Sequence, residues 1–263
     1  MLTPSQGRGI ARILSSQGNL AVALLARNPD NLSSVATSLR TDVPHGTFET
    51  FPTDTSPASL SRTFGAIREA PAFQGLKLKL AIYSIKHASK KPFLEETHEA
   101  FMASMEAYVG GAVAFSQEVI KLLLDHHPQE EREGGGEHEE ATALAKKGTL
   151  IFTGTLGALR TNAQFSAYGA TRSSVRMLAQ GLAKEFSEQG IHVAHAVANG
   201  AITDDDGGRG GDQGAEGGGK EEAVKRGKAM SAESVGRTYL WLSEQTVDLW
   251  THELDMRPAM EKF

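Results

Sequence analysis

Short apolar runs alternate with longer amphipathic stretches through most of the 263 residues. Residues 20–26, 78–83, 149–152 and 191–197 have the length and composition of strands, with a further short strand at 48–51. Residues 10–17, 31–39, 101–124 and 170–188 repeat their apolar positions at helical spacing. Such alternation predicts βαβ units around a parallel sheet, in a single domain spanning 1–263. Punctuation supports the boundaries: Asn28-Pro29 combines a capping side chain with proline at the first helical position, and Gly18 and Gly190 stand where helices stop. Near the end of the chain, Trp250, Leu254 and Met256 alternate with polar residues and predict a last strand.

Two segments break this pattern. Residues 125–147 and 203–220 are too polar and glycine-rich to bury a core, and they predict disordered surface insertions. His126, His127 and His138 lie among many glutamates, but a loop of this kind lacks the fixed geometry a metal requires. The run Asp204–Asp206 lacks the alternating ligands and distant glutamate of a calcium loop. No metal is therefore expected.

Composition narrows the classes further. A net charge of -5 with scattered basic residues argues against a nucleic-acid partner. The absence of cysteine removes disulfides, thiolate metal sites and cysteine nucleophiles, and suits a reducing compartment. No basic region followed by an apolar stretch opens the chain, and no unbroken apolar run is long enough to span a bilayer. The expectation is a cytoplasmic protein with no membrane association.

Candidate chemistry begins at Gly7-Arg8-Gly9-Ile10, which leads into a helix. Glycines there would let the backbone approach a pyrophosphate, with the helix N-terminus supplying free N–H groups and positive dipole. A tight turn before a helix would look the same. The following strand ends at Arg27, where the adenosine ribose would lie; a cation at that place suits a 2′-phosphate and favours NADP(H) over NAD(H). Solvation of the strand end is the alternative role for Arg27. Asp54, after the next strand, could accept a hydrogen bond from an adenine amino group.

Together these features resemble the short-chain dehydrogenase/reductase family, with its G-x-x-x-G-x-G motif, its later N-A-G motif and its catalytic Ser, Tyr and Lys. The likeness runs over nearly the whole chain and implies a Rossmann-type, doubly wound parallel sheet. Gly7 and Gly9 match the second and third glycines, whereas Thr3 stands at the first. The family's first strand should precede the motif, yet only Met1 and Leu2 do so. A missing central strand would leave two neighbours without backbone partners, so either the N-terminus is incomplete or cofactor binding is compromised.

The resemblance also assigns the catalytic end. Thr155 and Tyr168 are 13 residues apart, the family's Ser-to-Tyr spacing, and Arg172 follows Tyr168 by one helical turn in the place of the Lys. The chemistry needs a hydroxyl to hold a substrate carbonyl, a phenol to pass a proton and a fixed cation. Arg172 supplies the charge, but a guanidinium stays protonated and its planar fork copies a compact ammonium poorly, so slower turnover is expected. The family's water-anchoring Asn falls on Tyr108, its N-A-G motif on Ser84-Ile85-Lys86 and its P-G motif on Asn199-Gly200, while Ile202-Thr203 resembles the segment that touches the nicotinamide. Ser84 and Ile202 are accordingly cofactor candidates. By this reading the chain is an NADP(H)-dependent oxidoreductase interconverting a small carbonyl and its alcohol, and it forms a homodimer or homotetramer through the helices beginning near Phe101 and Thr171. The substitutions at Thr3, Ser84, Tyr108 and Arg172 leave a second reading open, a non-catalytic binding or scaffold module.

Overall fold

A computed structural model describes residues 4–85, 90–127, 144–204 and 217–261. Helices α1 (Pro4–Ser16), α2 (Pro29–Asp42) and α3 (Pro57–Glu69) alternate with strands β1 (Val22–Ala26) and β2 (Phe48–Pro52). After β3 (Leu80–Tyr83) come α4 (His98–Met105), a π-helical turn at Glu106–Gly110 and α5 (Gly111–Asp125). Next are β4 (Gly148–Gly154), α6 (Ser166–Phe186), β5 (Ile191–Ala198) and the two-residue strand β6 (Ile202–Thr203). The chain closes through α7 (Gly217–Lys225), β7 (Met230–Ser231), α8 (Ala232–Glu244) and β8 (Glu253–Met256).

Helix starts follow the predicted chemistry. The Asn28 side chain accepts from the Asn31 N–H at 2.9 Å, with Pro29 opening α2. Ser56, Thr97 and Ser231 cap α3, α4 and α8 in the same way. Gly190, with φ of 82°, takes the left-handed conformation that turns the end of α6 into β5.

Among the described residues every strand pair is parallel. The main sheet has the order β3-β4-β5-β8, and among the described residues β1 pairs only with β2 and no ladder joins β1 to β3. Helices cover both faces. Ile10, Leu14, Val235 and Tyr239 of α1 and α8 pack against Ala194, Ala196 and Ala198, whereas Phe115, Val119 and Leu123 of α5 share the opposite core with Ile191 and Val193. All eight residues of β5 are buried, as expected of a central parallel strand apolar on both faces.

Four expectations need correction. The helix predicted over 101–124 starts at His98 and is interrupted by the π-helical turn. The last long helix begins at Ser166 rather than 170, and Trp250 lies outside β8, stacked on His192. The predicted insertion 203–220 is narrower, since Thr203 pairs with Ser231, Asp204 is buried and α7 begins at Gly217. In the other insertion, Lys146 donates to the carbonyls of Ser243 and Gln245, fastening the end of α8. The rest of the two insertions, with His138, Asp205 and Asp206, falls outside the described residues.

The strand β8 is held by charge. Glu253 accepts two hydrogen bonds from Arg176 of α6, at 2.6 and 2.8 Å, and lies 3.0 Å from Nδ1 of the buried His195 of β5. Arg176 and then His195 hold the Glu253 carboxyl down at about 2, while burial keeps His195 below its ordinary 6.5. Both groups bind protons more readily in the unfolded chain, so their stabilisation is full above pH 6.5 and is lost as pH falls. Urea midpoints should therefore decline from pH 6.5 downward, and Glu253→Gln should flatten the part of that decline below the carboxyl's ordinary 4.5. An unchanged slope in the variant would assign acid lability to other groups.

Candidate functional site

Thr155 follows the last residue of β4, and Tyr168 lies in the first turn of α6. A short turn at Leu156–Ala158 connects them, and their hydroxyls meet at 2.8 Å. Gly157 permits this approach, because a Cβ there would lie 2.4 Å from Cε1 of Tyr168. That requirement was missed from the sequence, where Gly157 is one of 28 glycines without a recognised pattern.

Arg172, one turn along α6, is buried rather than displayed on the surface. Its guanidinium carbon lies 3.5 Å from the ring centroid of Tyr108 and 4.3 Å from that of Tyr168, so the cation sits against two aromatic faces. Nη1 of Arg172 also donates to Thr171 Oγ1 at 3.2 Å. Tyr108 belongs to the π-helical turn, whose extra residue disturbs the regular helical ladder. The Tyr108 carbonyl accepts from the Tyr83 hydroxyl at 2.9 Å. Burial pushes the Tyr108 phenol up to about 12, and it pushes Tyr83 up as well. The place assigned to a water-anchoring amide thus holds a buried aromatic floor for Arg172.

A cleft of about 590 Å³ opens beside the hydroxyl pair. Arg160, Asn162, Phe165 and Asn199 help to line it, at the carboxyl ends of β4 and β5, where open α/β sheets bind ligands. Gly200 closes its rim with φ of 143°, and a Cβ there would meet the Pro258 ring at 2.7 Å.

The residues expected to bind a cofactor divide into two sets. Gly7, Ile10, Arg27 and Ser84 line one groove of about 420 Å³ between α1, β1 and β3. Gly9 faces elsewhere: a Cβ there would fall 2.6 Å from Ala232 Cβ and 2.7 Å from Asp204 Oδ1, so this glycine allows close packing of α1 on α8. Both glycines lie inside α1, which begins at Pro4, rather than before it. Asp54 lies outside the groove and is exposed, its Oδ1 accepting from the backbone and hydroxyl of Ser56, which hold its carboxyl below the usual range. Ile202 presents its carbonyl to Gln6 Nε2 at 2.8 Å. Thr3 and Lys86 are outside the described residues.

Asp204, weighed in the sequence only as part of a run unsuited to calcium, has a structural role. Its carboxylate is fully buried and lies 2.8 Å from Arg8 Nε and 2.8 Å from Arg12 Nη2, tying the segment after β6 to α1. Nothing local announces the contact, since the partners are 196 and 192 positions apart. Among the described residues no group of three His, Asp or Glu could hold a metal, and His126 accepts the Leu78 N–H at 2.9 Å.

Residues 137–252 match the family model described as enoyl-(acyl carrier protein) reductase. No curated protein matches the chain. Among solved structures, L-sorbose reductase from Gluconobacter frateurii, complexed with NADPH and L-sorbose, is similar with a TM-score of 0.72 at 18% identity over 98% of this chain and 94% of its own. A short-chain dehydrogenase from Rhodopseudomonas palustris gives 0.69 at 20% identity, over 96% and 93%. A short-chain oxidoreductase from Pseudomonas aeruginosa with an atypical catalytic centre gives 0.71 at 15% identity, over 98% and 94%.

Proposed function

We propose that this chain belongs to the short-chain dehydrogenase/reductase family and is an oxidoreductase that uses NADP(H) to interconvert a small carbonyl compound and its alcohol. The observation that carries the reading is the 2.8 Å contact between Thr155 and Tyr168 at the edge of the larger cleft. Two hydroxyls so placed can both reach one carbonyl oxygen, Thr155 orienting it and Tyr168 giving it a proton. Arg172, against the Tyr168 ring, stabilises the negative charge that develops on the phenol oxygen when the proton leaves.

The smaller groove fits a dinucleotide in two respects: it begins near the N-terminus of α1, and the cation of Arg27 stands at the carboxyl end of β1. Gly7, Ile10 and Ser84 would line the bound cofactor, which supplies a hydride to the substrate carbon. We also place the protein in the cytoplasm, as a homo-oligomer acting on a soluble small molecule.

Calorimetric titration with NADPH and with NADH tests the reading. NADPH should bind at least about tenfold more tightly, since a 2′-phosphate paired with arginine gains a charge-assisted contact of about 1.5–3 kcal/mol. Arg27→Glu should erase that preference. Failure of both nucleotides to bind would reject the oxidoreductase reading in favour of a non-catalytic module, which the replacement of a small amide by Tyr108 and its stacking under Arg172 would then explain.

A further inference from the structure

The larger cleft is unbalanced in charge. Arg160 lines it, and among the described residues no carboxylate does. Arg160 is exposed to the cleft's solvent and, among the described residues, pairs with no acid. A second cation stands at the same wall: Nζ of Lys90 lies 5.6 Å from the ring centroid of Phe165, a lining residue. Its neighbour Lys91 pairs with Glu96 at 3.6 Å, whereas Lys90 has no carboxylate partner among the described residues. On a chain of net charge -5, these two cations make a local positive field in a concave site, where anions gather.

The backbone that carries Arg160 is held in place. The Arg160 N–H donates to the Leu156 carbonyl at 3.0 Å, Thr161 Oγ1 donates to the Phe165 carbonyl at 3.1 Å, and the Phe165 N–H donates to the Asn162 carbonyl at 3.2 Å. Gln164 adopts the left-handed region that favours glycine, with φ of 71°, and its carbonyl accepts the Lys91 N–H at 3.0 Å. The surroundings thus keep a strained residue in the stretch between the two reacting hydroxyls, the stretch that presents Arg160 and Asn162 to the cleft. Leu156, Phe165 and Ala198 add an apolar lining.

We propose, on the oxidoreductase reading of the hydroxyl pair, that the substrate is an oxo acid whose carboxylate is bound by Arg160 and Asn162 while its ketone lies at Thr155 and Tyr168. A guanidinium fork matches a carboxylate with two parallel hydrogen bonds, and the Asn162 amide offers further donors. One lining guanidinium balances one carboxylate, and the apolar lining suits the hydrocarbon chain between the two ends of the substrate. In the reaction the ketone carbon accepts a hydride from NADPH and the ketone oxygen accepts the Tyr168 proton, leaving a hydroxy acid and NADP+, and the phenol is reprotonated from solvent. The carboxylate changes no bond; Arg160 is a substrate-binding residue that selects for it.

The test uses the full chain and NADPH, with straight-chain hexanoates that carry a ketone at successive carbons, each measured against its methyl ester. The preferred oxo acid should exceed its ester at least about tenfold in kcat/KM, as a charge-assisted pair lost with the ester would give. Arg160→Ala should bring that ratio to within about twofold, and Arg160→Lys should restore part of it, because lysine keeps the charge without the fork. A second readout needs no turnover: in calorimetry hexanoate should bind at least about tenfold more tightly than hexanol, a difference that Arg160→Ala should erase. Esters reduced as well as acids, a ratio unmoved by Arg160→Ala, or hexanoate binding indifferent to Arg160 would overturn the proposal. Arg160-dependent binding of hexanoate with no reduction of any acid or ester would keep the carboxylate site and overturn the oxidoreductase reading instead.

Discussion

Tyr168→Phe is expected to lower the rate of NADPH-dependent carbonyl reduction at least about 100-fold, the lower end of what a positioned acid contributes. The hydroxyl is the only group lost. The phenyl ring keeps its edge-on packing against Phe165, 5.8 Å between centroids, and its place beside Arg172, so the unfolding temperature should change little. A rate drop with a retained fold and unchanged NADPH affinity isolates proton transfer. Arg172→Lys is the companion measurement. A lysine gives a compact donor that can exchange its proton, and turnover should rise, while stability falls by about 1–2 kcal/mol as the stacking on Tyr108 and Tyr168 is lost. Full activity in Tyr168→Phe would remove the assigned acid and, with it, the mechanism.

Asp204→Ala is expected to destabilise the fold by about 2–3 kcal/mol, below the full cost of breaking a buried pair because Arg12 keeps Asp42 and Glu233. For a chain of this size that corresponds to a fall of about 5–10 °C in the unfolding midpoint. The loss should appear first in α1 and in the segment following β5, the elements that the carboxylate ties together. Asp204→Glu should not rescue it, since the carboxylate fits tightly against Gly9. A midpoint within a degree of the parent would mean that the two arginines find equal partners without Asp204.

These two residues also mark how much the amino-acid pattern revealed. Tyr168 was legible because its spacing from Thr155 and Arg172 resembles the catalytic pattern of the short-chain dehydrogenase/reductase family, which lies within one short stretch of sequence. Caps such as Asn28 and stops such as Gly190 were legible for the same reason: their chemistry acts within a few residues. Asp204 was not, because its partners come from the opposite end of the chain and its neighbours are glycines and further aspartates that resemble a solvated loop. The π-helical turn was hidden too. An extra residue in a helix changes which side chains face inward without changing composition, so Tyr108 could be placed by counting but its burial beneath Arg172 could not. Gly9 matched a phosphate motif, yet in the fold the missing side chain makes room for Ala232 and Asp204.

The parallel pairing of every strand bears on how the protein is made. No two neighbouring strands can zip together through a tight turn, so each ladder waits for an intervening crossover. The wait matters most at β5, the longest strand among the described residues, whose outer edge pairs with β8 only after residues 199–252 have been synthesised. Until then an eight-residue apolar strand has an open side, and at ribosomal elongation rates of about 5–20 residues per second the exposure lasts several seconds. Nascent chains of this protein are thus most prone to aggregate late in translation, when nearly all of the fold's sequence has already emerged.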